Sequence, residues 1–146
     1  MSETNKPLAL IIGGSSGIGF ATATQLLERG IDTIIVGKAP EKLQRAEQVL
    51  AKIGNIQPFQ ADLYNANDMV RLIEYIDTLP QHVKYLVNAA GYFKPTRFLD
   101  HQQNDYDQYL DLNKAIFFIS QAVARNMKKY GPGAIVNVGS MWGKQA

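Results

Sequence analysis

Apolar residues follow two alternating rhythms along this chain. Short runs rich in apolar and β-branched residues occupy 8–12, 33–36, 56–61, 83–87 and 134–138, the first two unbroken. Between them lie longer stretches with apolar residues three or four apart, the spacing of one helix face. The first such stretch predicts a helix over 17–29 with Ile18, Phe20, Ala21 and Leu26 turned inward and Gly30 just past its end. The second opens at Pro40, a good first-turn residue, with Leu43, Ala46, Val49, Leu50 and Ile53 inward and Gly54 closing it. The third predicts a helix capped by Asn67 or Asp68, with Met69, Leu72, Ile73 and Ile76 inward and Pro80 beyond its end. The fourth is long, over 105–130, and Gly131-Pro132-Gly133 stops it.

Strands too apolar to face water on either side, alternating with amphipathic helices, predict an α/β fold with a parallel, doubly wound sheet. Right-handed crossovers and one reversal after the third strand give the spatial order 3-2-1-4-5. A ligand crevice then opens between the carboxyl ends of the first and fourth strands. The chain reads as a single domain over 1–146.

Composition narrows the function classes. The 146 residues carry 46% hydrophobic and 19% charged side chains, the balance of a soluble globular domain. A net charge of +2, with no basic cluster beyond Lys128-Lys129, argues against a nucleic-acid partner. Cysteine is absent, which excludes disulfides, thiolate catalysis and cysteine-based zinc sites, and two separated histidines, His82 and His101, do not make a metal site. No run reaches the ~20 apolar residues of a membrane helix, and residues 1–6 are polar, unlike a signal peptide. The expected location is cytoplasmic, with no membrane partner.

The chemistry begins at Gly13-Gly-Ser15-Ser16-Gly17-Ile18-Gly19, which joins the first strand directly to the first helix. Strand, glycine-rich turn and helix in this order are how a Rossmann-type fold holds a dinucleotide. Glycine lets the backbone turn sharply and approach a pyrophosphate, and the free N–H groups of the helix end attract its charge. About 20 residues further on, an NAD-binding chain would place a carboxylate for the ribose 2′-hydroxyl. This chain has Gly37 and Lys38, so nothing repels a 2′-phosphate and an ammonium can pair with it. NADP is therefore favoured over NAD.

The spacing Gly-x-x-x-Gly-x-Gly resembles the short-chain dehydrogenase/reductase family, with Ile12 where a threonine is usual. Asp62-Leu63 resembles the family's adenine-contacting pair. Asn88-Ala89-Ala90-Gly91 resembles its Asn-Asn-Ala-Gly motif, with Ala89 in place of the second asparagine. Gly133-Ala-Ile-Val-Asn-Val-Gly-Ser140 resembles the segment that ends in the catalytic serine, with Gly139 replacing the preceding serine. The resemblance implies an NAD(P)-dependent oxidoreductase acting on a small carbonyl or alcohol substrate. It implies Ser140 and Asn113 as catalytic residues, the serine polarising the substrate oxygen and the asparagine holding a water of the proton relay. It also implies cofactor contacts from Gly13, Ser15, Ser16, Gly17, Ile18, Gly19, Lys38, Asp62, Leu63, Asn88, Ala90 and Gly91, and a homo-oligomer for the intact protein. Met141 and Trp142 would wall a substrate pocket or belong to the core.

One family element is not found. Its proton donor is the tyrosine of Tyr-x-x-x-Lys, and none of the seven tyrosines here has lysine four residues later. The expectation is an N-terminal portion of a longer enzyme that lacks the family's later strands and turns over little by itself. An uncovered fifth strand and a partly exposed run over 115–119 are expected with it. A non-catalytic NAD(P)-binding regulatory module is the alternative.

Overall fold

Five parallel strands form one sheet in the order β3-β2-β1-β4-β5, as the alternation predicts. The structure, a computed structural model, describes residues 6–140. The strands are β1 (Leu8–Ile12), β2 (Asp32–Gly37), β3 (Ile56–Gln60), β4 (Val83–Asn88) and β5 (Ala134–Asn137). The helices are α1 (Gly17–Glu28), α2 (Pro40–Leu50), α3 (Ala66–Thr78) and α4 (Gln103–Tyr130), and a single 3-10 turn covers Phe98–Asp100.

Side chains alternate across the sheet and divide the core in two. Leu8, Leu10 and Ile12 of β1 pack with Ile34, Val36 and Leu86 under α3 and α4, where Leu72, Ile76, Ile119 and Val123 close the layer. On the other face, Ile11, Ile35 and Val87 meet Ala23 and Leu27 of α1 and Leu43, Ala46 and Leu50 of α2. Helices thus cover both faces of the central strands, which is why these read as continuous apolar runs. β5 is different. All four of its residues are exposed, and it forms the edge of the sheet beside β4.

The helix ends show how the chain specifies its turns. At the end of α1, Gly30 takes φ +73° and its N–H reaches the Leu27 carbonyl, while the Ile31 N–H reaches that of Leu26. This double closure satisfies carbonyls that would otherwise lack partners. α3 begins earlier than the sequence suggests. Asn65, not Asn67 or Asp68, caps it, its Oδ1 accepting from the Asp68 N–H at 3.0 Å. α4 also starts earlier, at Gln103, because Gln102 and Asp105 form a reciprocal capping box that makes Asp105 its third residue.

Two inward faces differ from expectation. Ile18 and Ala21 of α1 are exposed, and the helix instead buries Gly19, Ala23 and Leu27, with Phe20 and Leu26 half-buried beside them. A Cβ on Gly19 would collide with the Gly13 carbonyl, so the helix approaches the turn by its smallest residues rather than its most apolar ones. In α2, Val49 is exposed, and Ile53, past the end of the helix, is exposed as well. Along α4, Tyr106, Leu110, Asn113 and Phe117 form an exposed stripe, and Phe118 is also exposed, whereas Ala115 and Ile119 are buried. The run over 115–119 is therefore partly exposed, as expected for a chain without the family's later strands.

Asp105 supplies a pH-dependent anchor for α4. Its carboxylate accepts from Lys94 Nζ at 2.9 Å and from the Gln102 N–H at 3.1 Å. The hydrogen bond from Lys94 first, and that from Gln102 second, hold its carboxyl below the ordinary value, while Lys94 is raised by the same contact. A depressed folded value contributes stability above the unfolded carboxyl range near about 3.9, and loses it as pH falls through the folded value. Asp105→Asn is expected to lower the thermal midpoint at pH 7, with the difference from the unsubstituted chain shrinking below about pH 4. Thermal melts across pH 2.5–7 check this; a difference independent of pH would contradict it.

Candidate functional site

The carboxyl ends of β1, β2, β3 and β4 surround a cavity of about 370 Å³. Its wall contains Gly13, Ser15, Ser16, Gly17 and Ile18 from the first turn, Gly37 and Lys38 past β2, Asp62 and Leu63 past β3, and Ala90 and Gly91 past β4. Ten of the twelve positions expected to touch a cofactor thus share one crevice. The other two stand behind it. Gly19 lies under the turn, and Asn88 is buried, donating from Nδ2 to Asn137 Oδ1 at 2.8 Å and to Ser120 Oγ at 3.2 Å. Asn88 therefore ties β4 to β5 and to α4.

Backbone conformation shapes the turn. Gly13, at φ +82°, sends its N–H to the Val36 carbonyl at 2.9 Å, fastening the turn to β2. A Cβ at Gly13 would stand 2.7 Å from the Ala90 nitrogen, so only glycine allows the β1 and β4 loops to come this close. At Gly17, with φ +56°, a Cβ would enter open space beside the cavity.

The residues around this turn suit the phosphates of a dinucleotide. The first amides of a helix have no acceptor within it. At α1, Ser16 gives no side-chain cap and the first turn holds no acidic residue. The other three helices each carry a carboxylate in the first turn: Glu41, Asp68 and Asp105. The positive end of α1 is thus left to whatever enters the cavity, as an anion site requires.

At the far end of the cavity, Lys38 Nζ lies 3.4 Å from Asp62 Oδ2. The Asp62 Oδ1 accepts from the Tyr64 N–H at 3.0 Å, and its own N–H donates to Asp68 Oδ2 at 2.8 Å. That bond from Asp62, then the one from Arg71, holds the Asp68 carboxyl below its usual range. Lys38 is fixed through its backbone, its carbonyl accepting from Gln60 Nε2 at 3.0 Å.

Sequence reasoning missed some of the wall. Ile12, Val36, Ala61, Ala89 and Leu112 line it, as does Tyr64. Tyr64 follows Asp62 by two residues, and an aspartate that turns back onto the second amide beyond it is the signal that could have placed it. Burial, and then Tyr92, Asp62, Asp111 and Tyr109 around it, push the Tyr64 phenol up. The two residues expected to be catalytic stand apart from this wall. Asn113 is exposed on α4, next to the inward-facing Leu112, and Ser140 is exposed beyond β5. Met141 and Trp142 lie outside the described residues. Among the described residues no group of acidic or histidine side chains could hold a metal ion, and no helix is long and apolar enough to cross a membrane.

Comparison with known proteins agrees with this architecture. The sequence pattern of the short chain dehydrogenase family matches residues 7–146, and the chain belongs to that family. It is 30% identical to an uncharacterized oxidoreductase of Staphylococcus haemolyticus, covering 97% of this chain and 61% of that protein. It is also 30% identical to a 3alpha-hydroxysteroid dehydrogenase of Mediterraneibacter gnavus, covering 92% of this chain and 55% of that one. Among solved structures, a short-chain dehydrogenase from Sphingobium yanoikuyae in complex with NADPH superposes with a TM-score of 0.88 at 29% identity, over 94% of this chain and 55% of the other. The chain spans little more than half the length of these relatives.

Proposed function

We propose that the crevice binds NADP in preference to NAD, and that the protein is an oxidoreductase acting on a small carbonyl or alcohol substrate. One observation carries the reading: the glycine turn, the uncapped start of α1, Lys38, Asp62 and the loop after β4 converge on one cavity. The amides of Gly17, Ile18 and Gly19 would hold the pyrophosphate. Lys38 would pair with the ribose 2′-phosphate, and Asp62 and Leu63 would border the adenine. Ala90 and Gly91 would let the dinucleotide pass close to the β4 backbone. When bound, such a cofactor supplies or accepts a hydride.

Ser140 would donate a hydrogen bond to the substrate oxygen and stabilise charge developing on it, an electrostatic role. Asn113 would position a water of the proton relay. A general acid–base group is typically worth about 10²–10⁴ in rate, and no Tyr-x-x-x-Lys stands among these residues to supply one. The 146 residues are expected to bind cofactor with little turnover. A homo-oligomeric, cytoplasmic enzyme accords with the family. A dinucleotide-binding regulatory module would use the same crevice, but no residue favours it over the enzyme.

The coding sequence beyond Ala146 separates these readings: Tyr-x-x-x-Lys there supports hydride transfer, and its absence leaves the regulatory module. Thermal-shift titrations test cofactor choice, because a ligand that binds only the folded chain raises the melting temperature as its concentration exceeds Kd. NADP⁺ is expected to act at lower concentration than NAD⁺, and Lys38→Gln to remove the difference. A preference for NAD⁺ in the unsubstituted chain would contradict the role of Lys38.

A further inference from the structure

Among the described residues lining the 370 Å³ cavity, Lys38 is the sole cation and Asp62 the sole anion, and the two are paired at 3.4 Å. Their placement is not incidental to a loose surface. The Asp62 carboxylate is oriented by the Tyr64 N–H at 3.0 Å, and its backbone is fastened to Asp68 at 2.8 Å. Asp68 is in turn paired with Arg71, whose guanidinium also reaches the Gln60 carbonyl. Gln60 closes the circuit by bonding the Lys38 carbonyl. Asp62 is also the better sheltered partner, its side chain 26% exposed against 70% for Lys38. The carboxylate is therefore the fixed member and the ammonium the mobile one.

We propose that Asp62 sets the cofactor specificity of this site by competing with the ribose 2′-phosphate for Lys38. The inference rests on the NADP-binding reading above. A 2′-phosphate entering beside Lys38 must draw the ammonium away from Asp62. NAD carries a 2′-hydroxyl and leaves the pair in place. The pair therefore moderates the preference that Lys38 alone would give, and the site accepts both dinucleotides with a modest bias.

Asp62→Asn is the decisive substitution. It keeps an oxygen that can accept from the Tyr64 N–H while removing the charge. An exposed ion pair contributes modestly in water, so the ratio of NADP⁺ to NAD⁺ affinity should rise about two- to fivefold. Calorimetric titration of both dinucleotides into four chains reads this: unsubstituted, Asp62→Asn, Lys38→Gln and the double variant. If Asp62 acts through Lys38, the rise largely disappears in the Lys38→Gln background, a non-additivity the double-mutant cycle isolates. An unchanged ratio in Asp62→Asn, or the same rise with and without Lys38, would overturn the proposal while leaving dinucleotide binding intact. Failure of the cofactor reading itself would look different, with neither dinucleotide bound by the unsubstituted chain.

Discussion

Gly17→Val is expected to reduce dinucleotide affinity by about 100-fold or more while the chain stays folded, since about 2.7 kcal/mol corresponds to that factor. Two effects act at this position, the first on the stability of the turn and the second on the bound phosphates. Gly17 sits at φ +56°, where a side-chain-bearing residue is strained, at a cost of about 1–3 kcal/mol. Its Cβ would also point into the open space beside the cavity, where the phosphates are to lie against the start of α1. Among the described residues, none beyond the adjoining turn and helix backbone stands within 4 Å of that Cβ, so the core has no reason to rearrange. Gly17→Ala separates the effects, keeping the strain with a smaller intrusion. Unchanged affinity in Gly17→Val would remove the glycine turn from the binding site.

Ile119→Ala is expected to cost about 2–5 kcal/mol of stability, the range for emptying a buried aliphatic site. Ile119 is fully buried where α4 lies on the sheet, among Leu10, Leu86 and Val123. Two residues earlier, Phe117 is 62% exposed, and Phe117→Ala should change stability by about 0.5 kcal/mol or less. Apolar character alone does not separate these two residues, so urea denaturation of the pair tests the rotational setting of α4. Comparable losses in both variants would contradict it.

The central strands were legible because burial on both faces leaves so little choice of residue. Runs such as Leu8–Ile12 cannot be exposed edges or surface turns, and their order follows from crossover handedness. Helix faces were less legible where small residues make the contact. Periodicity draws attention to Ile18 and Ala21, yet α1 approaches the turn through Gly19 and Ala23, whose value lies in what they lack. The starts of α1 and α2 were read correctly, but those of α3 and α4 were misjudged by a turn or less. In α3, Asn65, Asn67 and Asp68 are all competent caps and only the path of the chain selects Asn65.

The crevice was more legible than the catalytic end. Gly13, Lys38, Asp62 and Gly91 are held by the ends of neighbouring strands, so strand order alone brings them together. Tyr64 was not visible because its position depends on the way Asp62 turns the chain after β3. Asn113 is exposed on α4 and Ser140 follows the edge strand β5, both away from the cavity wall. Their expected roles rest on motif alone.

The central claim is that this crevice is a dinucleotide site, and calorimetric titration of NADP⁺ into the unsubstituted chain tests it most directly. Saturable binding at one site per chain, lost in Gly17→Val, is the predicted result. A folded chain that takes up neither NADP⁺ nor NAD⁺ at millimolar concentration, on the order of the weakest useful affinity, would contradict it.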